Sequence, residues 1–328
     1  MLNHIDMLRR NCLGKFGPLL TAVSTDPAML FWLDNNENVV GKPNENFARE
    51  VMELFTLGVG HYSEKDVQEA ARAFTGWTFG VGQRFIRKVG TAPRRVDRFV
   101  FDRKNHDDGD KTVFGKTGKW GGDDILAGLL KHPQTALTLT QKFLDWFAYP
   151  DAEKVWVDRL AKKFYDSDLD IKVLVRAIME SEEFYSDRAV AKLIKTPMDF
   201  CITTARQLGV GATLSAGVDE AIANPQVNDE NGLNVKIIRA MSPAFAIRQS
   251  SDAMGMDLMY PPDVSGWKPG AYWITTSTMV ERIKWAERLY VPSQALPRPT
   301  AGGGVGNRNP NVLYDASQII GGLSQPTD

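Results

Sequence analysis

Pro43-Asn44-Glu45-Asn46-Phe47-Ala48-Arg49-Glu50-Val51-Met52-Glu53-Leu54-Phe55 is the stretch on which the reading of this chain turns. Phe47, Val51, Leu54 and Phe55 recur at three- and four-residue spacing, which predicts a helix with one apolar face. Asn46, Arg49, Glu50 and Glu53 fall at the same spacing on the opposite face. With Glu45 and Asn44, one short helix gathers three carboxylates, an arginine and two amides.

The flanks support that helix. Upstream, Thr25-Asp26-Pro27 reads as a helix start, because Asp26 can cap open amides and Pro27 sits where its missing N–H costs nothing. That helix is expected to carry Met29, Leu30, Phe31, Trp32 and Leu33 into a core. The polar run Asp34-Asn35-Asn36-Glu37-Asn38 follows. Asp34, Asn36, Asn38 and Glu45 fit positions of a calcium-loop template, but Val39 stands where the template requires glycine. A helix–loop–helix turn is the better reading. Downstream, Gly58 and Gly60 end the anchor helix, and Ser63-Glu64-Lys65-Asp66 is close to a capping box for a helix burying Val67, Ala70, Ala71 and Phe74.

The rest of the chain is read the same way. Two helices precede Thr25, broken near Gly14 and Pro18. Between 78 and 120 helical spacing disappears, and Phe, Val and Ile are scattered among Gly, Arg and Lys; a hairpin pairing 84–88 with 98–102 is one expectation. Helical spacing returns over 125–131, 133–147, 152–165, 171–183 and 197–208, weakens over 209–233, and resumes within 237–259 and from about 277 to 289. Pro261-Pro262-Asp263-Val264-Ser265-Gly266-Trp267 reads as a rigid turn. The fold class expected is mainly α, one multi-helix domain over 1–291 with an irregular, partly β insert over 78–120, and a loose tail over 292–328.

The totals narrow the function classes. The 328 residues carry a net charge of -1, so no basic footprint for nucleic acid is present. No apolar run is long enough to span a bilayer. Cys12 and Cys201 lie far apart in helical stretches, where two buried thiols are expected and a disulfide is not.

Several blocks in order carry a family likeness: Pro43-Asn44-Glu45-Asn46-Phe47-Ala48-Arg49-Glu50, Leu57-Gly58-Val59-Gly60, Ala73-Phe74-Thr75-Gly76-Trp77, His106-Asp107-Asp108-Gly109, Lys111-Thr112-Val113-Phe114-Gly115, and the 261–267 turn. The chain resembles the bacterial family called domain of unknown function 1800 from its first helix to Leu289. That resemblance implies a mostly helical, exported protein, periplasmic or secreted. It also implies a partner of the domain of unknown function 1501 family, which is similar to alkaline phosphatases and sulfatases. Family members have an N-terminal portion ahead of the segment that begins here, so a shortened start is expected.

Two sets of residues are candidates for chemistry. Glu50 and Glu53 with His106 and Asp107 could supply a general acid and base; Glu50, Glu53 and His106 could hold a divalent metal ion. Glu45 and Asp108 lie beside them, and Arg49 would orient an anionic group of a substrate. The structural alternative is an ion-pair ladder through Glu45, Arg49 and Glu53 at four-residue spacing. The second set is aromatic: Trp77, Trp120, Trp267, Tyr272 and Trp273 stand near Gly or Pro, where loops build clefts, and Trp77 and Trp267 are the expected substrate platforms. Ser265, Cys12, Cys201, His61 and His132 lack the flanks of a nucleophile or ligand. Two functions follow as expectations. One is an exported enzyme, metal-assisted or acid–base, that cleaves a polymer such as a polysaccharide; the other is a non-catalytic helical partner or maturation factor for a phosphatase- or sulfatase-like protein.

Overall fold

The computed structural model describes residues 2–81, 96–223, 236–238 and 240–290. Two compact units divide the chain, Met1–Leu193 and Ile194–Asp328, where the sequence pattern drew one domain over 1–291. The tail expected over 292–328 lies outside the described residues.

In the first unit, α1 (Leu2–Asn11), α2 (Phe16–Ser24) and α3 (Pro27–Trp32) lead to the anchor helix α4 (Asn46–Glu50), which widens into a π-helical turn over Val51–Thr56. Then come α5 (Glu64–Ala73), the antiparallel pair β1 (Trp77–Val81) and β2 (Val96–Phe101), and the small hairpin β3 (Lys111–Val113) and β4 (Lys116–Gly118). Four helices close the unit: α6 (Gly122–Lys131), α7 (Pro133–Phe147), α8 (Lys154–Asp166) and α9 (Ile171–Met179). The fold is mainly α with a small, partly β insert, as the spacing predicts.

Local chemistry sets the helix starts. Asp26 accepts a hydrogen bond from the Ala28 amide at 2.7 Å with Pro27 in the first turn. Ser63 and Asp66 form a complete capping box on α5. Asp170 accepts from Lys172 and Val173 at the start of α9. Each such cap is worth about 1 kcal/mol.

One core joins these elements. Its centre is an edge-to-face ladder, Phe47 on Phe74 at 5.0 Å, Phe74 on Trp77 at 5.2 Å and Trp77 on Phe99 at 5.2 Å. The ladder ties the anchor helix to α5 and to both strands of the β1–β2 pair. Edge-to-face rings contribute about 1 kcal/mol per pair beyond area burial. Gly122, at the start of α6, meets this ladder so closely that an added Cβ would lie 2.4 Å from Trp77 and 2.7 Å from Phe74.

The structure departs from the sequence pattern in four places. Strand β2 covers most of the expected 98–102 arm, but its partner is Trp77–Val81, with Trp77 opposite Phe101; residues 84–88 lie outside the described residues. Helix α3 is six residues long and buries Leu30, while Phe31 and Trp32 are 64% and 47% exposed. Cys12 is exposed and Cys201 buried, both free. The anchor helix is not α-helical throughout. Beyond Glu50 the Leu57 amide donates to the Met52 carbonyl at 2.7 Å, the five-residue step of a π turn, and the Thr56 side-chain hydroxyl donates to the Val51 carbonyl at 2.8 Å. Groups on α7 satisfy the carbonyls this turn turns outward: Lys142 donates to Leu54, and Thr138 to Leu57 at 2.6 Å.

The second unit holds α10 (Pro197–Gln207), α11 (Val210–Ala223), α12 (Ser242–Ala253) and α13 (Thr276–Tyr290). Part of the stretch where the periodicity weakens is therefore helical. Trp285 is fully buried, and its indole N–H donates to Thr204 Oγ1 at 2.9 Å. Met198, Met256 and Trp273 form a second small cluster with Trp267 against it.

Candidate functional site

The polar face of the anchor helix is occupied residue by residue. Arg49 grips Glu64 with both terminal nitrogens, at 2.8 and 2.7 Å, and also reaches Glu45 at 3.1 Å. The fork on Glu64 raises the Arg49 pKa further and lowers that of Glu64. Glu53 accepts a hydrogen bond from the Tyr62 hydroxyl. Burial, and then that bond, push the Tyr62 pKa up to about 12. Glu50, expected on the open face, is buried at 8% exposure.

His106 and Asp107 serve another helix. One face of α5 and the residues just after it present Asp66, Glu69, Arg72 and Thr75 at three-residue spacing, and together they hold the 105–114 segment. Asp107 receives Arg72 Nε at 2.8 Å, and its amide donates to Thr75 Oγ1 at 2.8 Å. The hydrogen bond from Arg72 holds the Asp107 carboxyl below the ordinary aspartate range. His106 Nδ1 lies 2.8 Å from the Thr75 carbonyl, which can only accept, so this nitrogen carries the proton; the ring rests edge-on against Phe101 at 5.2 Å. Glu69 accepts from the Thr112 amide at 2.9 Å and Asp66 from the Phe114 amide at 2.7 Å. Lys111 is buried at 1% exposure and donates to the Gly109 carbonyl at 3.0 Å; burial lowers its pKa. Asp108 is exposed.

The two asparagines of the loop before the anchor helix, Asn35 and Asn38, complete the clasp that α5 makes on this segment. Asn35 donates to the Trp77 carbonyl at 2.8 Å, and Asn38 donates to the Ala71 carbonyl at 2.9 Å while accepting from the Asn44 amide at 3.0 Å. Both are buried, so they cap the end of α5 rather than wait for a cation. Gly76 lets the backbones meet: its φ is +80°, and a Cβ there would lie 2.5 Å from the Asp102 carbonyl oxygen.

Glu53 is therefore bound by Tyr62, just ahead of α5, and His106 by Thr75, just past its other end. Ten helical residues separate those ends, about 15 Å at 1.5 Å per residue. Among the described residues no three His, Cys, Asp or Glu side chains gather to hold a metal ion, so Glu50, Glu53 and His106 do not form the expected centre. Trp77 is a core residue at 4% exposure, not a platform. Trp267, partly buried, and Trp273, fully buried, belong to the second unit; Tyr272 is exposed there, with Lys268 6.0 Å over its ring. Trp120 lines a pocket of the first unit.

Sequence reasoning missed the stripe on α5, although the spacing of Asp66, Glu69, Arg72 and Thr75 was legible. It also missed an apolar groove of about 350 Å3 lined by Leu8, Phe16, Leu19, Leu54 and Phe55, with His4 at 3.2 Å from Asp26 beside it. Leu54 and Phe55 come from the π turn, so an α-helical projection misplaces them.

Residues 1–325 match the model of the family described as "Protein of unknown function (DUF1800)", and the chain belongs to that family. No curated protein and no solved structure matches it. Among the described residues no helix is long and apolar enough to cross a membrane.

Proposed function

We propose that this protein is a non-catalytic helical partner, exported in the setting its family resemblance implies, that binds or matures a phosphatase- or sulfatase-like protein of the domain of unknown function 1501 family. The observation that carries this reading is the separate pairing of the charged groups. An acid–base pair needs two groups converging on one reacting atom. Here Arg49 is held by Glu64, Glu53 by Tyr62, Asp107 by Arg72 and His106 by Thr75. A partner protein needs accessible apolar surface, and the groove of Leu8, Phe16, Leu19, Leu54 and Phe55 supplies it, together with the open rings of Phe31 and Trp32.

Co-expression with a phosphatase- or sulfatase-like protein of the domain of unknown function 1501 family tests the proposal. Co-purification as a defined complex is expected. Leu8→Ser with Phe31→Ser weakens that complex by about tenfold or more, since truncated apolar anchors each cost on the order of 1–2 kcal/mol. Absence of a complex, together with hydrolysis of a polymer by the purified chain that Glu53→Gln abolishes, returns the enzyme reading.

A further inference from the structure

A second cavity, of about 390 Å3, lies between the β3–β4 hairpin, α6 and the start of α7. The size suits a small molecule. Its construction is specific. Val113 and Ile125 are buried and line its base. Trp120 and Phe114 give it aromatic faces. The Trp120 indole donates to the Lys116 carbonyl at 3.2 Å and lies flat against Gly118, where an added Cβ would come within 2.7 Å of the ring. Phe114 sits at the tip of the hairpin with φ +51°, beside Gly115 at +71°. Both turn residues are left-handed, which glycine tolerates and a bulky side chain adopts only under strain. The strained Phe114 ring is held 5.7 Å from His132.

The charges in this cavity are of a different kind from those on α5. Lys116 and Lys131 line it, and among the described residues neither ammonium has a partner. Asp124 also lines it; its carboxylate caps the Gly121 amide at 2.9 Å. His132 Nδ1 accepts from the Gln134 amide at 3.2 Å, so Nε2 carries the proton of the neutral ring, and burial, then the neighbouring His61, lower the His132 pKa. Two cations against one carboxylate leave the wall with a single positive charge. There is no arginine fork among the lining residues to select a phosphate.

The geometry points to a binding site for a monoanionic carboxylate with a flat, apolar body, stacked on Trp120 and steered by Lys116 and Lys131. The flat apolar faces match a planar ring system, and the single net charge matches one carboxylate. This site is independent of the partner proposal, since none of its lining residues belongs to the groove.

Titration of the full chain with 1-naphthoate, followed by calorimetry or ligand-observed NMR, tests it. Binding is expected with a Kd below about 1 mM. Trp120→Ala abolishes it. Lys116→Gln with Lys131→Gln, two exposed positions whose replacement leaves the fold intact, weakens it about fivefold, the scale of two solvent-screened charge contacts. The neutral 1-naphthamide binds more weakly by the same factor. Several results overturn the inference: no binding to the folded protein at about 1 mM, binding that both variants retain, equal affinity for naphthamide, or binding of glucuronate without naphthoate.

Discussion

The α5 clasp and the Trp120 cavity lie in the same unit and draw on the same kinds of residue, yet their polar groups are used in opposite ways. In the clasp, Asp66, Glu69, Arg72 and Thr75 each meet a group of the 105–114 segment, and Lys111 is buried with its ammonium on a carbonyl. In the cavity, Lys116 and Lys131 have no partner among the described residues, and Phe114 is held in a left-handed conformation. A density of charged residues marked the first region in the sequence, but that density is consumed by the fold. The second region is sparse in charge: Asp124 caps a helix, and the two ammonium groups stay open. Recognition chemistry is better sought where charge is left over and backbone strain is retained than where charge is concentrated.

The largest effect should come from the aromatic core of the same unit. Gly122→Ala places a Cβ 2.4 Å from Trp77 and 2.7 Å from Phe74, with no flexible chain end to give way. A loss of about 3 kcal/mol or more is expected in chemical denaturation, at the upper end of overpacking costs. A loss below about 1 kcal/mol would mean that the aromatic ladder is not the rigid centre described here.

Asp107→Asn breaks the clasp more gently. The carboxylate is mostly buried, meets Arg72 twice, and accepts from the Gly109 amide. About 2 kcal/mol should be lost near neutral pH, the scale of a charged hydrogen-bonded pair. The sign of its pH dependence follows from the lowered Asp107 pKa. Stability from a depressed carboxyl is complete above its unfolded pKa of about 3.9 and is lost as pH falls through the folded value. The gap between wild type and variant should therefore narrow below about pH 4 in urea titrations. A constant gap down to pH 2 would contradict the ion pair.

Phe114→Gly gives the smallest change, because it keeps the amide that Asp66 holds and removes only the ring that lines the cavity. It removes a half-buried ring but also relieves a left-handed backbone that costs about 1–2 kcal/mol for a residue with a Cβ. The two effects should cancel to within about 1 kcal/mol in thermal unfolding, while 1-naphthoate affinity falls. A loss of about 2 kcal/mol or more would show that this ring serves the core rather than the cavity.

Much of the architecture was legible because helix caps are local. Asp26-Pro27 and Ser63 to Asp66 act on amides two or three residues away. Non-local pairings were harder. The partner of residues 98–101 turned out to be the segment that follows α5, and nothing in its own residues names that partner. Asn35 and Asn38 looked like loop residues because the carbonyls they satisfy lie more than thirty positions ahead. A regular α-helix would keep Glu50 and Glu53 on one face, but the π turn over Val51–Thr56 changes the angle between them, and Glu50 is buried while Glu53 meets Tyr62. His106 and Asp107 were harder still, because their partners Thr75 and Arg72 lie more than thirty positions away.

Glu53 of the anchor helix and Asp107 of the 105–114 segment belong to separate networks, one on Tyr62 and the other on Arg72. A double-mutant cycle on folding free energy, with Glu53→Gln and Asp107→Asn alone and together, measures that directly. Additive losses within about 0.5 kcal/mol are expected for sites with no shared partner. A coupling of about 1 kcal/mol or more would place the two carboxylates in one site and contradict the account.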